Sequence, residues 1–141
     1  MTMLRFEQLD PIKLPLIKRF YKQHYPSAKA KSNEAIVVAY QNVQMVGVVR
    51  FREIEQYRLL TGMLISPECR GKGFGHQLLA HCQENYLTST DYCFAYAHLQ
   101  GLYQQHGFSC IDSTALPANL RSLFDRYSNS GKSLLAMQFV D

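Results

Sequence analysis

The sequence contains no tryptophan, no Cys-x-x-Cys pair and no unbroken apolar run of the length a membrane helix needs. A bilayer core takes about 20 consecutive apolar residues, so no membrane span is expected. The start of the chain, Met1-Thr2-Met3-Leu4-Arg5-Phe6-Glu7, lacks the apolar core and small-residue cleavage site of a secretion signal, and a cytoplasmic location is the expectation. Four cysteines (Cys69, Cys82, Cys93 and Cys110) are spaced too widely and irregularly for a disulfide framework or a zinc site. They read as free thiols, buried or half-buried, with no metal. The net charge of +4 comes from basic residues spread along the chain. Without a concentrated Lys/Arg stripe and aromatic platforms, no nucleic-acid partner is expected.

Repeats, low-complexity segments and linkers are also missing. The 141 residues are therefore expected to form one domain, residues 1–141, large enough to bury a core unaided. Apolar residues at 47% and charged residues at 18% give the balance of an ordinary globular protein. Lys13, Lys18, Arg19, Lys22, Lys29 and Lys31 give the N-terminal quarter a mild basic excess. This suits either the solvated side of a helix or the steering of an anionic ligand.

Periodicity then places the elements. Met3 to Gln8 alternates as a strand. Asp10-Pro11 reads as a helix cap followed by proline, and Leu14, Ile17, Phe20, Tyr21 and His24 continue at helical spacing until Pro26. Ala35–Tyr40 and Met45–Ile54 are strand-like runs joined through Gln41-Asn42-Val43-Gln44 as a hairpin. Arg50 and Arg52 alternate with Val49 and Phe51, as on a strand with one wet face. Tyr57–Ser66 is a strand and Gly75–Leu87 a helix with Leu78, Leu79, Cys82 and Tyr86 on one face. Tyr92–Ala97 forms a short strand, and Leu99, Leu102, Tyr103 and His106 mark a helix stopped at Gly107. Phe108–Ser113 reads as a strand, Leu120 to Tyr127 as a helical face and Leu134–Val140 as a last strand. A strand, helix and strand around residues 57–97 imply a parallel pair in an otherwise hairpin-rich α/β chain.

Between the strand and helix of that unit lies Arg70-Gly71-Lys72-Gly73-Phe74-Gly75. Alternate glycines permit positive φ and close approach to the main chain. At a helix mouth they aim N–H groups and the positive end of the helix dipole at one point, which suits a phosphate. A dinucleotide fingerprint would need glycine or alanine where His76 stands, and a P-loop would need Ser or Thr where Gly73 follows Lys72. The later Gly131-Lys132-Ser133 has Arg126 where that motif needs glycine, so it is a chance match.

What remains is Arg-x-x-Gly-x-Gly after a strand ending in Ser-Pro. Ile65-Ser66-Pro67-Glu68-Cys69-Arg70-Gly71-Lys72-Gly73-Phe74-Gly75 resembles the pyrophosphate loop of the GNAT N-acetyltransferase superfamily, whose members bind acetyl-coenzyme A (acetyl-CoA). A second segment, Leu102-Tyr103-Gln104-Gln105-His106-Gly107-Phe108, resembles the family pattern whose tyrosine lies near the coenzyme sulfur. The resemblance covers most of the chain and is strongest from about Thr61 to Phe108. It implies the GNAT fold: a mixed, mostly antiparallel sheet of six to seven strands flanked by helices, with the parallel pair around the cofactor loop.

The resemblance also implies roles. Main-chain groups of Met63, Leu64 and Ile65 would pair with the pantetheine arm, while Arg70, Gly71, Lys72, Gly73, Phe74, Gly75 and His76 would surround the diphosphate. Tyr103 would be the general acid; a phenol of pKa about 10 stays protonated at neutral pH and can serve a leaving thiolate. The implied activity is acetyl transfer from acetyl-CoA to a primary amine by direct attack in a ternary complex. The acceptor is open between small-molecule and protein amines, and a homodimer is left open.

The chain departs from the family in two places. Leu59, Leu60 and Thr61 stand where many members carry a glutamate base, leaving Glu53, Glu55, His98 or a water chain as alternatives. Tyr96 stands where asparagine is frequent. These departures keep a second class open, a non-catalytic acyl-CoA-binding sensor or interaction module. Acceptor selectivity would fall to about Phe20–Ser32 and to the C-terminal segment, with Tyr21, Tyr25, Tyr40 and Tyr57 either walling a pocket or lying in the core.

Overall fold

The computed structural model of the chain describes residues 3–26, 28–31 and 33–140. In chain order the elements are β1 (Arg5–Gln8), α1 (Leu14–His24), β2 (Ala35–Gln41), β3 (Gln44–Ile54) and β4 (Tyr57–Ile65), followed by α2 (Phe74–Asn85), β5 (Asp91–Tyr96), α3 (Gln100–Gln104), β6 (Phe108–Cys110), α4 (Ala118–Asn129) and β7 (Leu134–Phe139). The seven strands form one sheet in the order β1-β2-β3-β4-β5-β7-β6. β1 pairs antiparallel with β2, β2 with β3, and β7 with both β5 and β6. β4 and β5 are the expected parallel pair. No helix among the described residues is long and apolar enough to cross a membrane.

The residues group into two compact units, 1–52 with 61–81 and 53–60 with 82–141. In the first, Asp10 caps a short 3-10 turn through the Ile12 N–H, 3.1 Å away, and proline at the next positions leads into α1. Ile17, Phe20 and Tyr21 on the inner face of α1 pack with Leu9, Ile36, Val38, Val48 and Leu64. The lysines and Arg19 on its other face are exposed, so the basic excess lies in solvent. Asn42 turns the β2–β3 hairpin at φ 55°.

In the second unit Leu59 and Tyr92 meet Leu116, Leu120, Leu123 and Ala136. The parallel register covers Arg58–Leu60 against Asp91–Cys93. It is fastened at Arg58, whose Nε and Nη2 each lie 2.8 Å from an oxygen of the fully buried Asp91 carboxylate. The same carboxylate accepts the Thr88 N–H at 2.8 Å, and Arg58 Nη2 also donates to the Tyr86 carbonyl at 2.7 Å.

Four expectations need correction. The strand expected over Phe108–Ser113 is shorter, because the Asp112 carboxylate takes the N–H and hydroxyl of Thr114 and bends Ser113–Ala115 into a 3-10 turn. The helix around Tyr103 is a single short α-turn preceded by a 3-10 turn at Ala97–Leu99. Cys110 is exposed, whereas Cys69, Cys82 and Cys93 are buried and all four are free. Burial, reinforced by the Asp91 charge, pushes the Cys82 thiol up to about 12, so it packs as a neutral core group. Arg50, expected on a wet face, is 6% exposed.

Removing Asp91 would strand a guanidinium and the Thr88 amide. Asp91→Ala is expected to cost about 3 kcal/mol in denaturant unfolding, the low end for a broken buried pair, because the Arg58 side chain is 26% exposed. A loss below about 1 kcal/mol would class the pair with ordinary surface bridges.

Candidate active site

β4 delivers the chain into the glycine loop through two main-chain hydrogen bonds. The Ser66 N–H donates to the Val46 carbonyl at 2.9 Å, and the Cys69 N–H to the Ser66 carbonyl at 2.9 Å, closing a 3-10 turn over Pro67–Cys69. Cys69 and Phe74 are buried and anchor the two ends, leaving Arg70–Gly73 exposed between them. Gly71 and Gly73 have φ of 81° and 80°, a conformation that side chains rarely adopt. A Cβ on either would meet no protein atom within 4 Å. The glycines are therefore needed for backbone shape, and the space before them is open to a ligand.

The first helical bond of α2 runs from the Gln77 N–H to the Gly73 carbonyl at 3.1 Å. The amides before Gln77 thus belong to the loop and helix mouth, where the dipole is positive. Arg70 folds back toward β4, its Nε 3.3 Å from the Ile65 carbonyl. Lys72 and His76 are exposed. Along β4, Met63 and Ile65 are half-buried and Leu64 is in the core. All of these residues belong to the first unit.

Tyr103 belongs to the second unit. It is 7% exposed, and its ring meets Phe108 edge-on at 5.8 Å. Phe108 meets Phe139 in the same way at 5.6 Å. The candidate bases lie at the surface: Glu53 and Glu55 are exposed, Glu55 in a turn at φ 57°, and His98 stacks on the exposed Tyr96 ring at 5.9 Å. His81 is half-buried against Phe6 with ring centroids 4.5 Å apart.

Of the four tyrosines considered for an acceptor pocket, Tyr21 is in the core and Tyr57 stacks edge-on to Tyr92 at 5.8 Å. Tyr40 lines a groove of about 360 Å³ shared with Phe20, His24, Met45, Ser66 and Glu68. Within the Phe20–Ser32 stretch, Ser27 and Ser32 lie outside the described residues. Sequence reasoning missed one cluster altogether: Tyr21, Arg50 and Glu34 gathered against Gly62. Its only sequence signal was a glycine inside a strand.

A family model described as an acetyltransferase (GNAT) domain matches residues 32–110, more than half of the chain. The chain belongs to the GNAT acetyltransferase family. Acyl transfer from coenzyme A is the general chemistry that membership carries. No curated protein matches the chain. Among solved structures, it resembles N-acetylglutamate synthase from Neisseria gonorrhoeae complexed with coenzyme A and N-acetyl-glutamate, with a TM-score of 0.75 at 15% identity. That match covers 100% of this chain but 36% of the synthase, so the chain spans about a third of that protein's length. An IAA acetyltransferase from Bacillus cereus matches with a TM-score of 0.64 at 22% identity, over 78% of this chain and 79% of that one. A Mycobacterium tuberculosis protein in complex with CoA matches with a TM-score of 0.70 at 14% identity, over 97% and 99%. At these identities the likeness shows the GNAT fold: a mixed α/β chain with a seven-strand, mostly antiparallel sheet flanked by helices.

Proposed function

We propose that residues 1–141 act as one N-acetyltransferase domain, moving acetyl from acetyl-CoA to a primary amine by direct attack. The observation that carries this reading is the positive-φ glycine loop at the mouth of α2, with open space before Gly71 and Gly73. The loop amides from Gly71 to His76 hold the diphosphate, with Arg70 and Lys72 adding charge. Main-chain groups of Met63, Leu64 and Ile65 pair with the amides of the pantetheine arm as an added strand would.

When bound, acetyl-CoA supplies a thioester carbon open to attack. The amine nitrogen forms the new bond to that carbon as the carbon–sulfur bond breaks. The Tyr103 hydroxyl donates its proton to the leaving sulfur, whose thiol pKa is about 8.5. The nitrogen releases its second proton to water as the amide forms, and the phenol is restored from water. An alkylamine of pKa about 10.4 must first lose a proton, to water or to Glu53, Glu55 or His98. Acceptor selection falls to α1 and the connection after it. The groove walled by Phe20 and Tyr40 supports this, since Ser66 and Glu68 at its edge lead into the loop.

A second reading, a non-catalytic acyl-CoA binder, is favoured by one observation: Leu59 and Leu60 are buried where a strand carboxylate would stand. An assay across amines, polyamines and peptides separates the two. Cofactor binding without turnover on any acceptor would select the binder.

Two substitutions test the site. Gly73→Asp forces a side chain into a left-handed conformation and sets a carboxylate where the phosphates would lie, so calorimetric binding of acetyl-CoA is expected to vanish. Retained affinity would remove the loop from the site. Tyr103→Phe deletes only a hydroxyl and is expected to lower kcat by roughly 10²-fold or more with cofactor affinity unchanged. Unaltered turnover would take Tyr103 out of the mechanism.

A further inference from the structure

β4 carries a left-handed residue in its interior: Gly62, at φ 62°. A Cβ there would sit 2.7 Å from Arg50 Nε, 2.7 Å from the Tyr21 hydroxyl oxygen and 2.9 Å from Arg50 Nη2. Two polar side chains are thus packed onto the glycine itself. The Tyr21 hydroxyl donates to the Gly62 carbonyl at 2.6 Å, holding that carbonyl toward α1. Burial raises the Tyr21 hydroxyl far above the ordinary phenol range, so the donor keeps its proton at any physiological pH.

The Arg50 guanidinium lies 5.3 Å from the Tyr21 ring centroid. Its Nη1 donates to Glu34 Oε1 at 2.8 Å and to the Lys29 carbonyl at 2.6 Å. Glu34 Oε1 in turn accepts the Lys31 N–H at 2.7 Å. The Arg50 and Glu34 side chains are 8% and 4% exposed. Arg50 Nε is buried with no hydrogen-bond partner. An orphaned buried donor is unfavourable, and here it lies beside a strand-interior residue in a left-handed conformation that glycine adopts freely and other residues rarely do. That residue immediately precedes Met63, Leu64 and Ile65.

We propose that Tyr21, Arg50 and Glu34 are positioning residues that fix the bend of β4 at Gly62 and so aim the main chain of Met63–Ile65 at the pantetheine arm. This rests on the reading of Met63–Ile65 as the cofactor contact. None of the three touches the reacting atoms; they act through β4. Arg50 also holds the connection between α1 and β2, where acceptor selection is placed. The acceptor-side connection and the cofactor strand are thus linked through Arg50, whose guanidinium lies beside the Tyr21 ring, and through the Tyr21–Gly62 hydrogen bond.

Calorimetric titration of the full chain with acetyl-CoA, paired with thermal unfolding, tests the assignment. Tyr21→Phe keeps the ring and removes the bond to Gly62. It is expected to raise the acetyl-CoA Kd roughly fivefold, the loss of about one net hydrogen bond. Glu34→Gln keeps an acceptor for Arg50 but drops the charge, and is expected to raise Kd by a smaller factor of about two. A merely structural role would lower Tm and leave the Kd of the folded protein unchanged. Wild-type Kd in folded Tyr21→Phe overturns the proposal; should that variant not fold, wild-type Kd in Glu34→Gln does so. If the wild-type protein gives no binding heat, the reading of the cofactor site falls, and this inference falls with it. Binding by the wild type with unchanged variants removes this inference alone.

Discussion

The paired oxygens of Asp91 and the guanidinium of Arg58 secure the short parallel register between β4 and β5. Parallel pairing is slightly weaker per residue than antiparallel pairing, and this ladder covers only Arg58–Leu60 against Asp91–Cys93. A desolvated carboxylate is costly unless its lone pairs are filled. Asp91 fills them with Arg58 and with the Thr88 amide, in the turn that leads into β5. The register ends at Leu60 while β4 continues to Ile65.

Backbone conformation, more than side-chain chemistry, gives the site its character. Gly71 and Gly73 take positive φ beside open space, and Gly62 takes it beneath two polar side chains. In the loop the missing Cβ leaves room for a ligand. At Gly62 the missing Cβ leaves room for Tyr21 and Arg50. The same residue type thus serves two different physical needs along one short stretch of chain.

Much of the fold was legible because its signals are local. The glycine loop announces itself through residues adjacent in sequence, and β4 and α2 were found nearly to the residue from their periodicity. The expectation for Arg50 failed because alternation along β3 records only the strand's own pattern. Tyr21 from α1 and Glu34 from the following connection cover that face. The end of β6 was missed through turn chemistry, since Asp112 captures Thr114 and bends the chain.

Local signals set the α/β class, the positions of most elements and the glycine loop after β4, because propensity, period and glycine φ act over a few residues. Tertiary structure alone decided that β7 inserts between β5 and β6, that Asp91 is buried against Arg58, and that Arg50 is enclosed beside Gly62. Each of these depends on partners distant in the chain, and no local preference specifies which distant group will share a desolvated space.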